Sequence, residues 1–89
     1  MIPFEIRVRP LLVPGMLVSH PAGIKIILAR GMSRHEAAVT LWHEVYHILR
    51  STDLACDKQS EVEAEAFGQK MAQHCPEIIE ICGLANKFP

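Results

Sequence analysis

The chain has 89 residues, of which 49% are hydrophobic and 21% are charged, and its formal net charge is −1. A chain of this length supports a single hydrophobic core, so barrels and doubly wound enzymes are excluded and we expect one domain over residues 1–89. The small net charge argues against direct nucleic-acid binding. Prolines and glycines interrupt the longest apolar stretch, residues 10–24, so no membrane-spanning helix is expected. Because no secretory signal pattern opens the chain, we expect a cytoplasmic location.

Three short strands are predicted in the first third of the chain. Residues 4–9 alternate between apolar and charged side chains, which is the period-two pattern of a strand with one buried face. Residues 16–19 form a second apolar segment between Pro14-Gly15 and the turn at residues 20–23. Residues 24–29 form a third, with Ile24, Ile26 and Leu28 on one face. We therefore expect a small sheet before the helical part of the chain.

Two longer helices and one short helix are predicted after the strands. Ser33-Arg-His-Glu36 has the S-x-x-E pattern of a capping box, and an apolar stripe at helical spacing follows it over residues 34–50. Residues 51–59 are polar and rich in turn-forming types. Ser60-Glu-Val-Glu63 is a second capping-box pattern and predicts a helix over residues 60–74. A last short helix is expected within residues 77–84, so the fold class is α+β.

The motif His43-Glu44-Val45-Tyr46-His47 lies inside the first predicted helix. Residues four apart lie on one helix face, about 5–6 Å apart at Cβ, so two imidazoles can converge on one metal ion. Glu44 is rotated away from that line and can act as a general base on a metal-bound water. From the composition, about 0.02 chance occurrences of this HExxH pattern are expected. The alternative is a pair of helix-face histidines that contact polar neighbours.

A catalytic zinc site usually has three protein ligands, so a further ligand is required. The second predicted helix offers Glu61, Glu63, Glu65 and His74. Two imidazoles and a carboxylate would also suit iron, nickel or cobalt. Residue types alone leave the ligand and the metal open.

Leu41-Trp-His-Glu-Val-Tyr-His-Ile-Leu49 followed by Glu63-Ala-Glu-Ala-Phe-Gly-Gln-Lys-Met71 resembles the ImmA/IrrE metallopeptidases, of the minigluzincin type. The resemblance covers about residues 23–75 and implies a small zincin-like domain, with Zn²⁺ held by His43, His47 and Glu63. It also implies that the strand at residues 24–29 forms the sheet edge beside the cleft. Gly68 stands where the family usually has Ala, which is a minor departure between two small residues.

Several alternatives stay open around this site. Glu63 could serve only as the carboxylate of the capping box, and a shift of two residues would make Glu65 the ligand. His74 could donate a hydrogen bond near the site or lie at the surface. Thr40, one turn before His43, is expected to flank the cleft. Tyr46 is expected to pack away from the histidines.

The function expected from these residues is zinc-dependent peptide-bond hydrolysis with Glu44 as the catalytic base. The resemblance implies a protein or peptide substrate, such as a transcriptional repressor, and leaves the oligomeric state open. No clear donor for the oxyanion of peptide hydrolysis is evident. This motivates a second hypothesis, a zinc-stabilised protein-binding module without catalysis. A metal-free structural domain is the third.

Overall fold

The computed structural model describes residues 4–20, 23–50 and 58–88. Three strands come first and three helices follow: β1 (Phe4–Arg9), β2 (Gly15–His20), β3 (Gly23–Ala29), α1 (Arg34–Arg50), α2 (Lys58–His74) and α3 (Ile78–Ile81). The α+β class and the order of strands before helices are therefore confirmed. The predicted polar segment at residues 51–59 lies mostly outside the described residues. In the described parts of the chain, no helix combines the length and the apolar character needed to cross a bilayer.

The sheet has the strand order β1-β3-β2, so β3 is its central strand. β3 pairs in parallel with β1 and antiparallel with β2. The prediction that residues 24–29 form the sheet edge is therefore wrong. The central position suits the composition of β3, because Ile26 and Leu28 are completely buried there. β2 takes the edge position beside the helices instead.

The hydrophobic core lies between one face of the sheet and α1. Ile26 and Leu28 of β3 pack with Ala37, Ala38 and Leu41 of α1, all of which are at most 1% exposed. The small side chains of the two alanines let α1 approach the sheet closely, and the larger Leu41 side chain packs between the helix and the sheet. This packing fixes the rotation of α1 and turns its other face toward the cleft described below.

The start of α1 is a complete capping box. The Ser33 Oγ accepts a hydrogen bond from the Glu36 amide at 3.1 Å, and the Glu36 carboxylate accepts one from the Ser33 amide at 3.1 Å. Two backbone donors that the helix leaves free are thereby satisfied. The described helix, Arg34–Arg50, covers the predicted span of residues 34–50.

The second predicted capping box does not cap α2. This helix begins at Lys58, so Ser60 lies inside its first turn and not at its N-cap. The helix packs antiparallel against α1 and ends at His74. α3 is shorter than the predicted residues 77–84. It is followed by Gly83, whose φ of 73° suits a glycine at a helix end.

Candidate metal centre

The two histidines of the motif share one face of α1 and point into the same space. Their ring centroids are 5.1 Å apart. The His43 and His47 side chains are 17% and 8% exposed, so both are largely withdrawn from water. The helical spacing of four residues therefore produces the convergence that the sequence predicts.

Glu61 of α2 closes the group from the opposite side. Its Oε1 lies 2.8 Å from His47 Nε2, and its Oε2 lies 3.3 Å from His43 Nε2. Within the described chain, His43, His47 and Glu61 form a group whose ligand atoms all lie within 4.8 Å of one another. Atoms bound to one tetrahedral zinc at about 2.0–2.1 Å are themselves about 3.3 Å apart. We call these three residues the candidate metal centre.

The contact between His47 and Glu61 is not a normal hydrogen bond. His47 Nε2 is buried and makes no hydrogen bond, because the Glu61 oxygen lies away from the direction in which a ring N–H would point. A buried polar atom without a partner costs about 1–3 kcal/mol. A metal ion bound by the ring lone pair would remove that cost. The donor set of two imidazoles and a carboxylate therefore fits Zn²⁺.

Glu63, the ligand that the resemblance implies, does not belong to this group. It lies two positions from both Glu61 and Glu65, which is about 200° around the helix. Glu63 is half-buried and shares its face with Phe67, four residues later. The Phe67 ring packs against Trp42 and Tyr46 at centroid distances of 6.0 and 5.3 Å. That face of α2 is thus occupied by aromatic packing, and the carboxylate that faces the histidines is Glu61.

Glu65, the alternative ligand, contacts the outer nitrogen of His43. Its Oε1 lies 3.2 Å from His43 Nδ1 in hydrogen-bond geometry. Gln69 donates from Nε2 to the other Glu65 oxygen at 3.0 Å and holds the carboxylate in place. In the tautomer that carries its proton on Nδ1, His43 donates a hydrogen bond to Glu65. The lone pair of the ring is then on Nε2, which faces Glu61. Glu65 is therefore placed to orient the His43 ring and does not belong to the group of His43, His47 and Glu61.

Glu44 lies at the same cleft and is only 6% exposed. Burial raises the pKa of this carboxyl above its ordinary value, with the nearby Glu61 carboxylate acting in the same direction. Any positive charge on His43 and His47 acts in the opposite direction. A desolvated carboxylate with a raised pKa is a stronger proton acceptor than one in water.

The candidate metal centre opens onto a cleft of about 700 Å³, a size typical of ligand sites. One side is formed by α1 and α2, and the other by the start of β2 and the segment before it. Thr40 lines this cleft, as the sequence predicts. Tyr46 packs on Phe67 and Arg50 and does not line the cleft, but its ring also lies 6.2 Å from the His47 ring, so it is not directed entirely away from the histidines. His74 is exposed at the end of α2 and does not line the cleft.

Gly68 marks the closest approach of α2 to the motif helix. A Cβ at this position would lie 2.6 Å from the Val39 carbonyl oxygen and 3.3 Å from the His43 amide nitrogen. Backbone atoms cannot move aside as a flexible side chain can. The interpretation of Gly68 as a minor departure from Ala is therefore wrong for this chain. Glycine is required for α2 to bring Glu61 and Glu65 within reach of the histidines.

The signal that identifies Glu61 is a spacing of four. Glu61, Glu65 and Gln69 recur at the same interval as His43 and His47, so each helix presents one polar face to the other. Comparison of the chain with protein-family models, curated proteins and solved structures finds no match.

Proposed function

We propose that the chain is a zinc-dependent metallopeptidase of the ImmA/IrrE type with a zincin-like fold. His43, His47 and Glu61 are the proposed metal ligands, and Glu44 is the proposed general base. The observation that carries the proposal is the convergence of two imidazole nitrogens and one carboxylate on one point, beside a second, buried carboxylate, that of Glu44. The approach of Glu61 to an unpartnered His47 nitrogen supports a metal there.

The residues of the site have separate roles in the proposed hydrolysis. Zinc, when bound, supplies a Lewis acid that polarises a carbonyl and makes water acidic near neutral pH. The Glu44 carboxylate takes a proton from the attacking water while the water oxygen bonds to the carbonyl carbon of the peptide. Glu44 then returns this proton to the leaving amine as the carbon–nitrogen bond breaks. Glu65 and Gln69 hold the His43 ring in one orientation throughout.

The proposed substrate is an extended segment of another protein. β2 is an edge strand that borders the cleft, and an edge strand can pair with an added peptide strand. A regulatory protein such as a transcriptional repressor is the proposed target, and this part of the proposal rests on the motif resemblance. Zinc as the metal is supported by the donor types.

A non-catalytic, zinc-stabilised binding module is the second candidate. The observation that favours it is the composition of the cleft, because no Tyr, Arg or Lys lies among its described lining residues and His35 is the one imidazole there outside the proposed ligands. The amide of Gln69 is bonded to Glu65, and the Thr40 hydroxyl contacts the Met32 sulfur at 3.7 Å. Among the described lining side chains, His35 is thus the remaining candidate donor for an oxyanion.

Replacement of Glu44 by Gln separates the two candidates. The Glu44→Gln variant keeps the shape of the side chain and the metal ligands but cannot accept a proton. We expect zinc binding to persist and the cleavage rate to fall at least about 100-fold, the lower range for a general base. Cleavage is followed by mass spectrometry on a library of random peptides with zinc-loaded protein. Unchanged cleavage by the variant would remove Glu44 from the mechanism, and no cleavage by the wild-type protein would favour the binding module.

A further inference from the structure

One side of the cleft is formed by apolar side chains that take no part in the candidate metal centre. Val13, Leu17 and Met32 lie there, and we call them the apolar wall. Val13 is 49% exposed, and Leu12 beside it is fully exposed. Large apolar side chains exposed at the rim of a concave site indicate contact with an apolar ligand.

The apolar wall has a fixed position relative to the histidines. Gly15 lies between Val13 and Leu17, and a Cβ there would come within 2.7 Å of the Thr40 Cγ2. The start of β2 therefore lies directly against α1, one turn before His43. Leu17 lies on β2, while Val13 and Met32 lie in the segments before β2 and α1, and both Leu17 and Met32 pack against the core. The wall is therefore held close to the helix that carries His43 and His47.

The cleft lining is rich in carboxylates, and the basic side chains among its described residues are the imidazoles of His35, His43 and His47. Four carboxylates line the cleft, and neither Lys nor Arg appears among the described lining residues; the acidic residues are Glu36, Glu44, Glu61 and Glu65. A bound divalent cation would offset two of these charges if all four were ionised. The remaining field disfavours a ligand that places a carboxylate in the cleft.

We infer that the cleft selects an extended peptide segment that places a bulky apolar side chain on Val13, Leu17 and Met32 and carries no Asp or Glu beside it. This inference rests on the proposed function, since it specifies the substrate class of the same site. The apolar wall supplies the attraction, and the carboxylates supply the discrimination against acidic sequences.

Binding without turnover tests this inference separately from catalysis. Zinc-loaded Glu44→Gln protein is immobilised and exposed to a library of random peptides, and the retained sequences are read by mass spectrometry. We expect bulky aliphatic or aromatic residues to be enriched about 10-fold at one position, as apolar pockets achieve. Asp and Glu should be depleted at the neighbouring positions.

Two matched variants in the same background assign the effect to the apolar wall. Val13→Lys places a cation on the wall and should abolish both the apolar enrichment and the depletion of acidic residues. Val18→Lys adds the same charge to β2 at a position that is 37% exposed and does not line the cleft, so the original profile should persist.

Retention without apolar enrichment, identical profiles for the two variants, or no retention at all would overturn the inference. Apolar peptides that are retained by Glu44→Gln but never cut by the wild-type protein would contradict the peptidase proposal alone.

Discussion

Three glutamates lie within five residues of α2, yet their side chains have different surroundings. Glu61 faces both histidine Nε2 atoms, Glu65 bonds to the outer nitrogen of His43, and Glu63 lies on the other side of the helix. The difference follows from the helical repeat, in which a step of two residues reverses the direction of a side chain. Residue type alone cannot separate these three, but helical phase can.

Glu65 should affect metal affinity without being a ligand. Loss of a carboxylate that orients a metal-bound histidine typically weakens binding 10- to 100-fold. We therefore expect Glu65→Ala to raise the zinc dissociation constant by about this factor while the stoichiometry stays unchanged. Competition with a chromophoric chelator measures both quantities. Glu63→Ala on the same helix is the control and should bind zinc as the wild-type protein does. Equal affinities for the two variants would exclude an orienting role for Glu65.

The contact between α1 and α2 depends on the absence of a side chain at one position. In an unstrained helix, Gly68→Ala would stabilise the protein by about 1 kcal/mol, because Ala is the better helix former. Here the added methyl group would meet the Val39 carbonyl oxygen. We expect a net destabilisation of about 1–3 kcal/mol, as for other overpacked sites. Urea unfolding gives the sign directly, and a stabilised variant would show that the helices are not in close contact at Gly68.

The cap of α1 contributes to stability and to its pH dependence. Ser33→Ala should lower the free energy of unfolding by about 1 kcal/mol, since the Glu36 amide loses its acceptor. The hydrogen bond from the Ser33 amide lowers the pKa of Glu36 below its ordinary value of 4.5. The stabilisation that the Glu36 carboxylate contributes is therefore complete above pH 4.5. It is lost as the pH falls through the lower pKa that Glu36 has in the folded protein.

Thermal melting of the wild-type protein and of Glu36→Gln, at pH values above and below 4.5, tests the pH dependence of the cap. The difference between the two melting temperatures should shrink as the pH falls below 4.5. A difference that is independent of pH would mean that the Glu36 charge does not contribute to the cap.

The elements differ in how far local sequence determines them. Both ends of α1 could be predicted, because its cap and its apolar stripe are local patterns. Strand order could not, since the parallel pairing of β1 with β3 joins residues about 20 positions apart and depends on which strand the core buries most. The start of α2 was missed because the Ser60 pattern resembles a cap while lying inside the helix.

At the scale of the whole molecule, a single core holds the sheet, the helices and the end of the described chain together. Arg34 at the start of α1 pairs with Glu80 of α3 and donates a hydrogen bond to the Ala85 carbonyl at 3.1 Å. Phe88 is 2% exposed and belongs to the same core cluster. The last described segment thus packs on the helix that carries His43 and His47.

A chain of 89 residues has a small core, so a metal ion that binds only the folded state would add substantially to its stability. The proposed site is one metal ion held between α1 and α2 by His43, His47 and Glu61.

The most direct test is the zinc content of purified protein, determined by elemental analysis for the wild type, Glu61→Gln and Glu63→Gln. We expect about one zinc per chain for the wild type and for Glu63→Gln, and a large loss for Glu61→Gln. Circular dichroism confirms that each variant is folded. Zinc that is retained by Glu61→Gln but lost from Glu63→Gln would contradict the proposed metal site, and so would a wild-type protein that takes up no zinc.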